Sequence, residues 1–257
     1  MKLAVISDIH SNTTALKAVL ADIATRNVEQ IICLGDVIGY GPEPAAALDL
    51  VMKAASVTLM GNHDYAVLYE PNKFNLGAET ASFWTRKQLE DEPDAALRKA
   101  RWDFLGSLKV KHVIDGGTML GEMVFVHGSP RRPINEYIFP DDVITAPTKM
   151  QQIFDRIDHK CFVGHTHVVG VFTDEPDFYP PADLNGVYLF HEEEKCIVNP
   201  GSVGQPRDRD PRASYAVLHD DRVEFLRLDY PVEAVIEKVK AVPELHDFLG
   251  QRLLEGR

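Results

Sequence analysis

Five short stretches of this sequence gather side chains that do metal and proton chemistry. They are Asp8-Ile9-His10, Gly35-Asp36, Gly61-Asn62-His63-Asp64, His127-Gly128 and Gly164-His165-Thr166-His167. Asp, Asn and His offer oxygen and imidazole nitrogen donors. That mixture suits Mn, Fe or Zn better than the all-oxygen shells of Mg or Ca. None of the stretches contains a Cys, which argues against a thiolate-held structural zinc. Taken singly, most are common: Asp-x-His also reads as a capping loop, Gly-Asp as a turn, and His127 as a core histidine. Gly-His-Thr-His is more specific, because histidines at i and i+2 on a loop can reach adjacent ions. All five in one chain, each after an apolar run, point to one shared centre. His112, His159, His191, His219 and His246 fit no such pattern.

The elements that must position these residues follow from hydrophobic spacing. Residues 2–7 and 30–34 read as buried strands and 56–60 as a third. Leu16, Val19, Leu20 and Ile23 have helical spacing over 13–26, with Ser11 or Asn12 as the cap. A helix over 44–54 completes a βαβαβ opening, which favours a parallel sheet. Residues 75–107 read as helical with a break at Glu92-Pro93. The second half is strand-rich: 118–126, 161–164, 168–173, 187–191, 195–199, 213–219 and 222–228, with a hairpin at Asp220-Asp221 and one helix near 146–158. The Pro-rich segment 174–186 reads as a loop, and 231–254 as one or two surface helices divided at Pro243. The expected fold is α/β (α+β): two packed mixed β-sheets flanked by helices in four layers, forming one domain over 1–257. The strand ends should carry all five polar stretches to one edge, where open α/β sheets bind ligands.

Composition narrows the function classes. The 257 residues carry 39 acidic against 27 basic side chains, a net charge of −12. Such a field repels nucleic-acid backbones, so a nuclease is disfavoured. A small phosphoester remains admissible, because bound cations invert the local sign. Cys33, Cys161 and Cys196 lie in apolar runs and read as buried reduced thiols, which fits a cytoplasmic protein. No segment reaches the ~18 apolar residues of a membrane helix.

The order D-x-H, G-D, G-N-H-D, H and G-H-x-H across residues 8–167 resembles the calcineurin-like metallophosphoesterase superfamily. The resemblance implies a dinuclear metal centre. One ion would be held by Asp8, His10, Asp36 and His167, and the other by Asp36, Asn62, His127 and His165. Asp36 would be the shared carboxylate, and His63 would lie over both ions as general acid with Asp64 orienting it. Asp-Ile-His-Ser-Asn (8–12), Gly-Asp-Val-Ile-Gly-Tyr-Gly-Pro (35–42), His-Gly-Ser-Pro-Arg (127–131) with Glu136-Tyr137, and Asn-Pro-Gly-Ser-Val-Gly-Gln-Pro-Arg (199–207) resemble a prokaryotic branch loosely labelled diadenosine-tetraphosphatase-like. Protein phosphatases and symmetric dinucleoside polyphosphate hydrolases carry a phosphate-clamping Arg-Gly soon after G-D. Here Gly39-Tyr40-Gly41-Pro42 stands in that place. Arg131 and Arg207 are the candidate replacements, with Tyr40 beside them.

Charge arithmetic gives the expected chemistry. Two divalent ions against Asp8 and Asp36 leave about +2, enough to ionise a water between ions roughly 3.5–4 Å apart near neutral pH. The resulting hydroxide would attack a small phosphoester, and a singly charged diester needs a clamp less than a monoester dianion does. The competing classes are a phosphoprotein phosphatase or dinucleoside polyphosphate hydrolase, a scaffold that has lost catalysis, and a nuclease.

Overall fold

The computed structural model describes residues 1–257. In chain order the elements are β1 (Leu3–Ile6), α1 (Thr13–Ala24), β2 (Gln30–Cys33), α2 (Pro44–Ala54), β3 (Val57–Thr58), α3 (Asn62–Leu68), α4 (Leu76–Glu90) and α5 (Ala95–Ser107). Then come β4 (Lys111–Asp115), α6 (Gly117–Leu120), β5 (Glu122–Val126), α7 (Asp142–Thr145), α8 (Pro147–Phe154), β6 (Lys160–Phe162), β7 (Gly170–Thr173) and β8 (Asp177–Tyr179). The chain closes with β9 (Val187–Leu189), β10 (Cys196–Asn199), β11 (Ala213–Leu218), β12 (Arg222–Leu228), α9 (Val232–Lys240) and α10 (Phe248–Gln251).

Two six-stranded mixed sheets result, ordered β3-β2-β1-β11-β12-β9 and β4-β5-β6-β10-β7-β8. β1, β2 and β3 run parallel in the first sheet, and β5, β6 and β10 in the second. The period-two alternation of a strand builds the layers. From β1, Leu3 and Val5 point between the sheets to meet Phe125, Phe162 and Val198. Ala4 and Ile6 point outward, against Leu16 and Val19 of α1 and Leu48 and Val51 of α2. The outer face of the second sheet, with Val124, Cys161 and Ile197, packs on Met150, Ile153 and Phe154 of α8. The order is helix, sheet, sheet, helix, as expected.

Helix starts obey local chemistry. Asn12 caps α1 by accepting from the Ala15 N–H at 3.0 Å, Pro44 begins α2, and Asp94 accepts from Ala96 and Leu97 at the head of α5. The hairpin β11–β12 turns at Asp220-Asp221 as predicted. The cysteines are free and buried, and burial pushes the Cys196 thiol up to about 12.

Several elements differ from expectation. The predicted strand 118–126 begins only at Glu122, because Gly117, in the left-handed region at φ 74°, opens a helical turn. β4 is an edge strand with exposed Lys111, Val113 and Asp115, so its pattern carries little hydrophobic signal. The Pro-rich 174–186 segment is not all loop: Asp177–Tyr179 pairs with β7, and a 3-10 turn follows at Pro181–Leu184. The C-terminal helices do not merely coat the surface. Val239, Leu245 and Leu249 pack on Ala81 and Trp84 of α4, and Leu253 joins the core beneath α1.

Candidate metal centre

Each polar stretch follows a strand, but the strands belong to both sheets. Asp8 and His10 follow β1, Asp36 follows β2, and Asn62 and His63 open α3 after β3. His127 follows β5, and His165 and His167 follow β6. The centre is therefore the seam where the carboxyl ends of both sheets meet, rather than the edge of one.

The seam brings ligand atoms into three overlapping clusters: Asp8, His10 and His167; His10, Asp36 and His63; and Asp36, His127 and His165. Asp36 is common to two of them and His10 to two. The Asp36 Oδ2 lies 3.7 Å from His10 Nε2 and 3.4 Å from His127 Nε2. The Asp8 Oδ1 lies 3.2 Å from His167 Nε2. Asn62 Oδ1 comes within 3.1 Å of His127 Nε2, which brings the amide to the same end. His63 stands inside one cluster rather than above all of them.

Ring orientation follows from the hydrogen bonds of the far nitrogens. The Nδ1–H of His127 donates to the Leu34 carbonyl at 3.2 Å, and that of His167 to the Gln205 carbonyl at 2.6 Å. A carbonyl can only accept, so each Nδ1 carries a proton and each Nε2 is the nitrogen turned to the seam, the one that would ligate a metal once free of its own proton. The Nε2 atoms of His10 and His167 face one another at 3.1 Å. His10 Nδ1, His63 Nδ1 and His165 Nε2 are buried with no partner in the protein. Buried polar atoms are rarely left alone without a reason. Converging lone pairs and orphaned imidazole nitrogens fit a metal.

The backbone is strained at these residues. Asp8, His10, Asp36, His165 and His167 all have positive φ, between 48° and 68°. Non-glycine residues seldom adopt that region, and such strain concentrates at functional sites. Glycines make the close approach possible. A Cβ on Gly61 would stand 2.0 Å from Asp36 Oδ1, and one on Gly164 would stand 2.1 Å from Ser7 Oγ and 2.7 Å from Asp8 Oδ2.

Electrostatics separate the histidines. Burial lowers His10, His63, His165 and His167, with His63 pushed down to about 4 against the pull of Asp36. Burial also opposes charge on His127, but Asp36 overrides it and lifts this ring to about 9. Asp8 is held well below the usual carboxylate range: burial works to raise it, and the His167 and His127 rings together with the Ser7 hydroxyl outweigh burial.

Asp64 does not orient His63. Its oxygens accept four backbone N–H groups, from Asp36 at 2.8 Å, Val37 at 3.0 Å, Ile38 at 3.2 Å and Gly61 at 3.0 Å. It braces the 36–38 loop and caps α3. Those amides need the oxygens more than an imidazole does, since a buried N–H without a partner is costly. His63 is placed instead by its own N–H donating to Asp36 Oδ1 at 2.8 Å and by ring contacts with Tyr40, at 4.3 Å between centroids, and Phe74, at 4.6 Å.

The three substrate candidates part company. The Arg131 guanidinium is engaged by Glu136 at 2.5 Å and 3.1 Å and by Gln152, and Glu136 also accepts from Ser129 Oγ. That arginine stitches the 129–136 turn. Arg207 has only Gln205 Oε1, at 2.7 Å, and its Nε is buried without a partner. Its guanidinium lies 5.8 Å from the Tyr40 ring centre, and Tyr40 in turn contacts His10.

Two roles lay beyond the sequence: the bracing by the 199–207 stretch, which stood out only by its resemblance, and one ring contact. The 199–207 stretch is the bracket behind the centre: Ser202 Oγ donates to the Asp8 carbonyl at 2.7 Å, and the Asn199 side-chain amide donates to Gly164 O and Thr166 Oγ1, each at 2.9 Å. Its run of Asn, Pro, Gly and Ser was the available signal. Tyr137 stacks on His165 at 3.7 Å and 18°, and no local spacing announces that contact.

A double sheet whose strand ends converge Asp, Asn and His donors on one seam defines a metal-binding α/β phosphoesterase architecture. Residues 1–222 match the calcineurin-like phosphoesterase superfamily domain, and the chain belongs to that superfamily. An uncharacterized protein of Methanocaldococcus jannaschii is 37% identical over 260 residues, covering 99% of this chain and 98% of its own. The crystal structure of a metallophosphoesterase from Sphaerobacter thermophilus is 34% identical, covers 100% of this chain and 99% of its own, and superposes with a TM-score of 0.81. A hypothetical protein from Pyrococcus horikoshii, 19% identical with coverage of 100% and 98%, shares the fold with a TM-score of 0.76. No helix is long and apolar enough to cross a membrane.

Proposed function

We propose that the chain hydrolyses a small phosphoester at a dinuclear metal centre, with Asp36 the carboxylate between the two metal positions. The observation that carries this reading is the sharing of Asp36 by two ligand clusters. Asp8, His10 and His167 would hold one ion with Asp36, and Asn62, His127 and His165 the other. Two divalent ions of the Mn, Fe or Zn type, when bound, supply the Lewis acidity and the activated water of such a reaction. The chain's own groups do the rest. The Leu34 and Gln205 carbonyls fix the His127 and His167 rings, and Asp64 holds the 36–38 loop. Arg207 meets the phosphoryl oxygens; its Nε lacks a partner until an anion arrives. His63 is the proton donor to the leaving oxygen. Burial keeps the free ring neutral, and an anionic ester beside it raises its proton affinity.

A diester is favoured over a monoester. Arg131 is tied to Glu136, and residues 39–42 contain no arginine, so the clamp reduces to Arg207. One guanidinium matches a monoanion better than a dianion. The test measures metal content and compares bis-p-nitrophenyl phosphate with p-nitrophenyl phosphate in the Mn-loaded protein. Two ions per chain and faster diester turnover are expected. One ion per chain rejects the shared Asp36, and a strong monoester preference reverses the substrate ranking.

A further inference from the structure

We propose that the cleft beside Asn62 and His165 seats a planar aromatic group carried by the phosphoester. This inference rests on the phosphoesterase reading above and adds the substrate class. The cleft has a volume of about 530 Å³ and opens directly from those two residues. That is the size of a small-molecule site.

Its walls are aromatic in a way that the fold does not require. Tyr137 lies face to face with the His165 ring at 3.7 Å, and Phe139, outside the cleft lining, backs Tyr137 at 5.2 Å and 8°. Tyr137 and Phe139 are 40% and 43% exposed, and Tyr65 across the cleft is 40% exposed. Phe74, also in the wall, touches His63. Exposed apolar side chains are ordinary when scattered, but a contiguous set beside a polar centre marks a binding surface. With Tyr137 stacked between His165 and Phe139, the surface left to another flat ring is the Tyr65 ring, the Phe74 ring and the open edge of Tyr137, where aromatic contacts add to apolar burial. Lys73 and Arg132 line the same cleft with Glu70 as its single acid, so the local charge favours an anionic ester against the −12 of the whole chain. An ester held by its phosphorus at the seam would project one substituent past Asn62 and His165 into the cleft, among Tyr65, Phe74 and Tyr137.

Calorimetric titration of the Mn-loaded protein with inorganic phosphate, methylphosphonate and phenylphosphonate tests this without turnover. Phenylphosphonate should bind about tenfold more tightly than methylphosphonate, a difference of ~1.4 kcal/mol. Tyr137→Leu and Tyr65→Ala should each shrink that ratio, with phosphate binding and metal content unchanged in Tyr65→Ala. Because Tyr137 touches His165, Tyr65→Ala carries the test if Tyr137→Leu loses metal. Equal affinity for the two phosphonates, or a ratio that survives both substitutions, overturns the cleft assignment while phosphate still binds. Failure of phosphate itself to bind overturns the phosphoesterase reading and the cleft with it.

Discussion

The two flanks of the centre are built from different materials. On the flank of His10 and His167, the donor residues are closed in by the Gln205 carbonyl on His167, the Ser202 hydroxyl on the Asp8 carbonyl, and the Tyr40 ring over His10. The C-terminal helices add to this side. Tyr40 packs against the cluster of Trp84, Val239 and Leu249, and burial together with neighbouring Arg207 pushes Arg252 down to about 10. On the flank of Asn62 and His165, the ring of His165 lies under an exposed tyrosine at the end of an open cleft. The first flank is closed over by Ser202, Gln205 and Tyr40 with Arg207 beside them, whereas the second opens onto exposed rings, with Lys73 and Arg132 along the same cleft. In the proposed reaction the contrast would separate holding the phosphoryl group, which needs fixed charge, from admitting a variable substituent, which needs an accessible surface.

The sharpest way to break this picture is at the residue joining the flanks. Asp36→Asn removes a charge shared by both clusters, and activity should fall by at least ~10⁴-fold with loss of metal. Elemental analysis beside turnover checks it; full metal content with full activity would dissolve the link between the flanks. Next, His63→Ala should keep its metals and slow an alkyl phosphoester by roughly 10²–10⁴-fold. An aryl ester with a good leaving group should slow less, and equal losses on both would remove His63 as a proton donor.

Metal affinity should also depend on pH through the second flank. His127 is protonated below about 9 in the metal-free protein, and a metal must displace that proton. Affinity should therefore rise from pH 7 to 9, by up to about a hundredfold if this one proton controls it. Competitive chelator titrations across that range measure the slope, and a flat profile rejects the raised His127. The metal-free fold has the opposite weakness. His63 titrates at about 4 when folded against 6.5 in the free side chain, so the unfolded chain takes up its proton first as pH falls. Stability should decline from about pH 6.5 toward 4, read as a falling denaturation midpoint. The smallest expected effect is on the first flank's cation: Arg207→Ala should lower kcat/KM by roughly 10–100-fold, the scale of a lost charge-assisted hydrogen bond. Arg131→Ala should leave kcat/KM nearly unchanged but loosen the 129–136 turn, and the reverse ranking would exchange their roles.

The donor residues that the structure gathers at the seam were legible because their rules are local. A strand ends, a glycine permits an otherwise blocked approach, and Asp, Asn or His follows; that order survives in one dimension at Gly61-Asn62 and Gly164-His165. The layered fold was legible for the same reason, since Leu3, Val5, Ala4 and Ile6 alternate toward two different cores. Weak local signals failed. β4 lies exposed at a sheet edge, β8 sits in a Pro-rich segment, and α3 is a short helix begun by a side-chain cap.

By itself the sequence determined the kinds of donors, their order along the chain and the sheets that bear them, because periodicity and turn chemistry act over a few residues. Only the tertiary structure decided how chemically similar side chains divide their work. Asp36 joins two donor clusters while Asp64 faces four amides, and Arg207 is left open while Arg131 is tied to Glu136. Those outcomes depend on which groups from distant segments compete for each hydrogen bond, and that competition exists only once both sheets have closed on the seam.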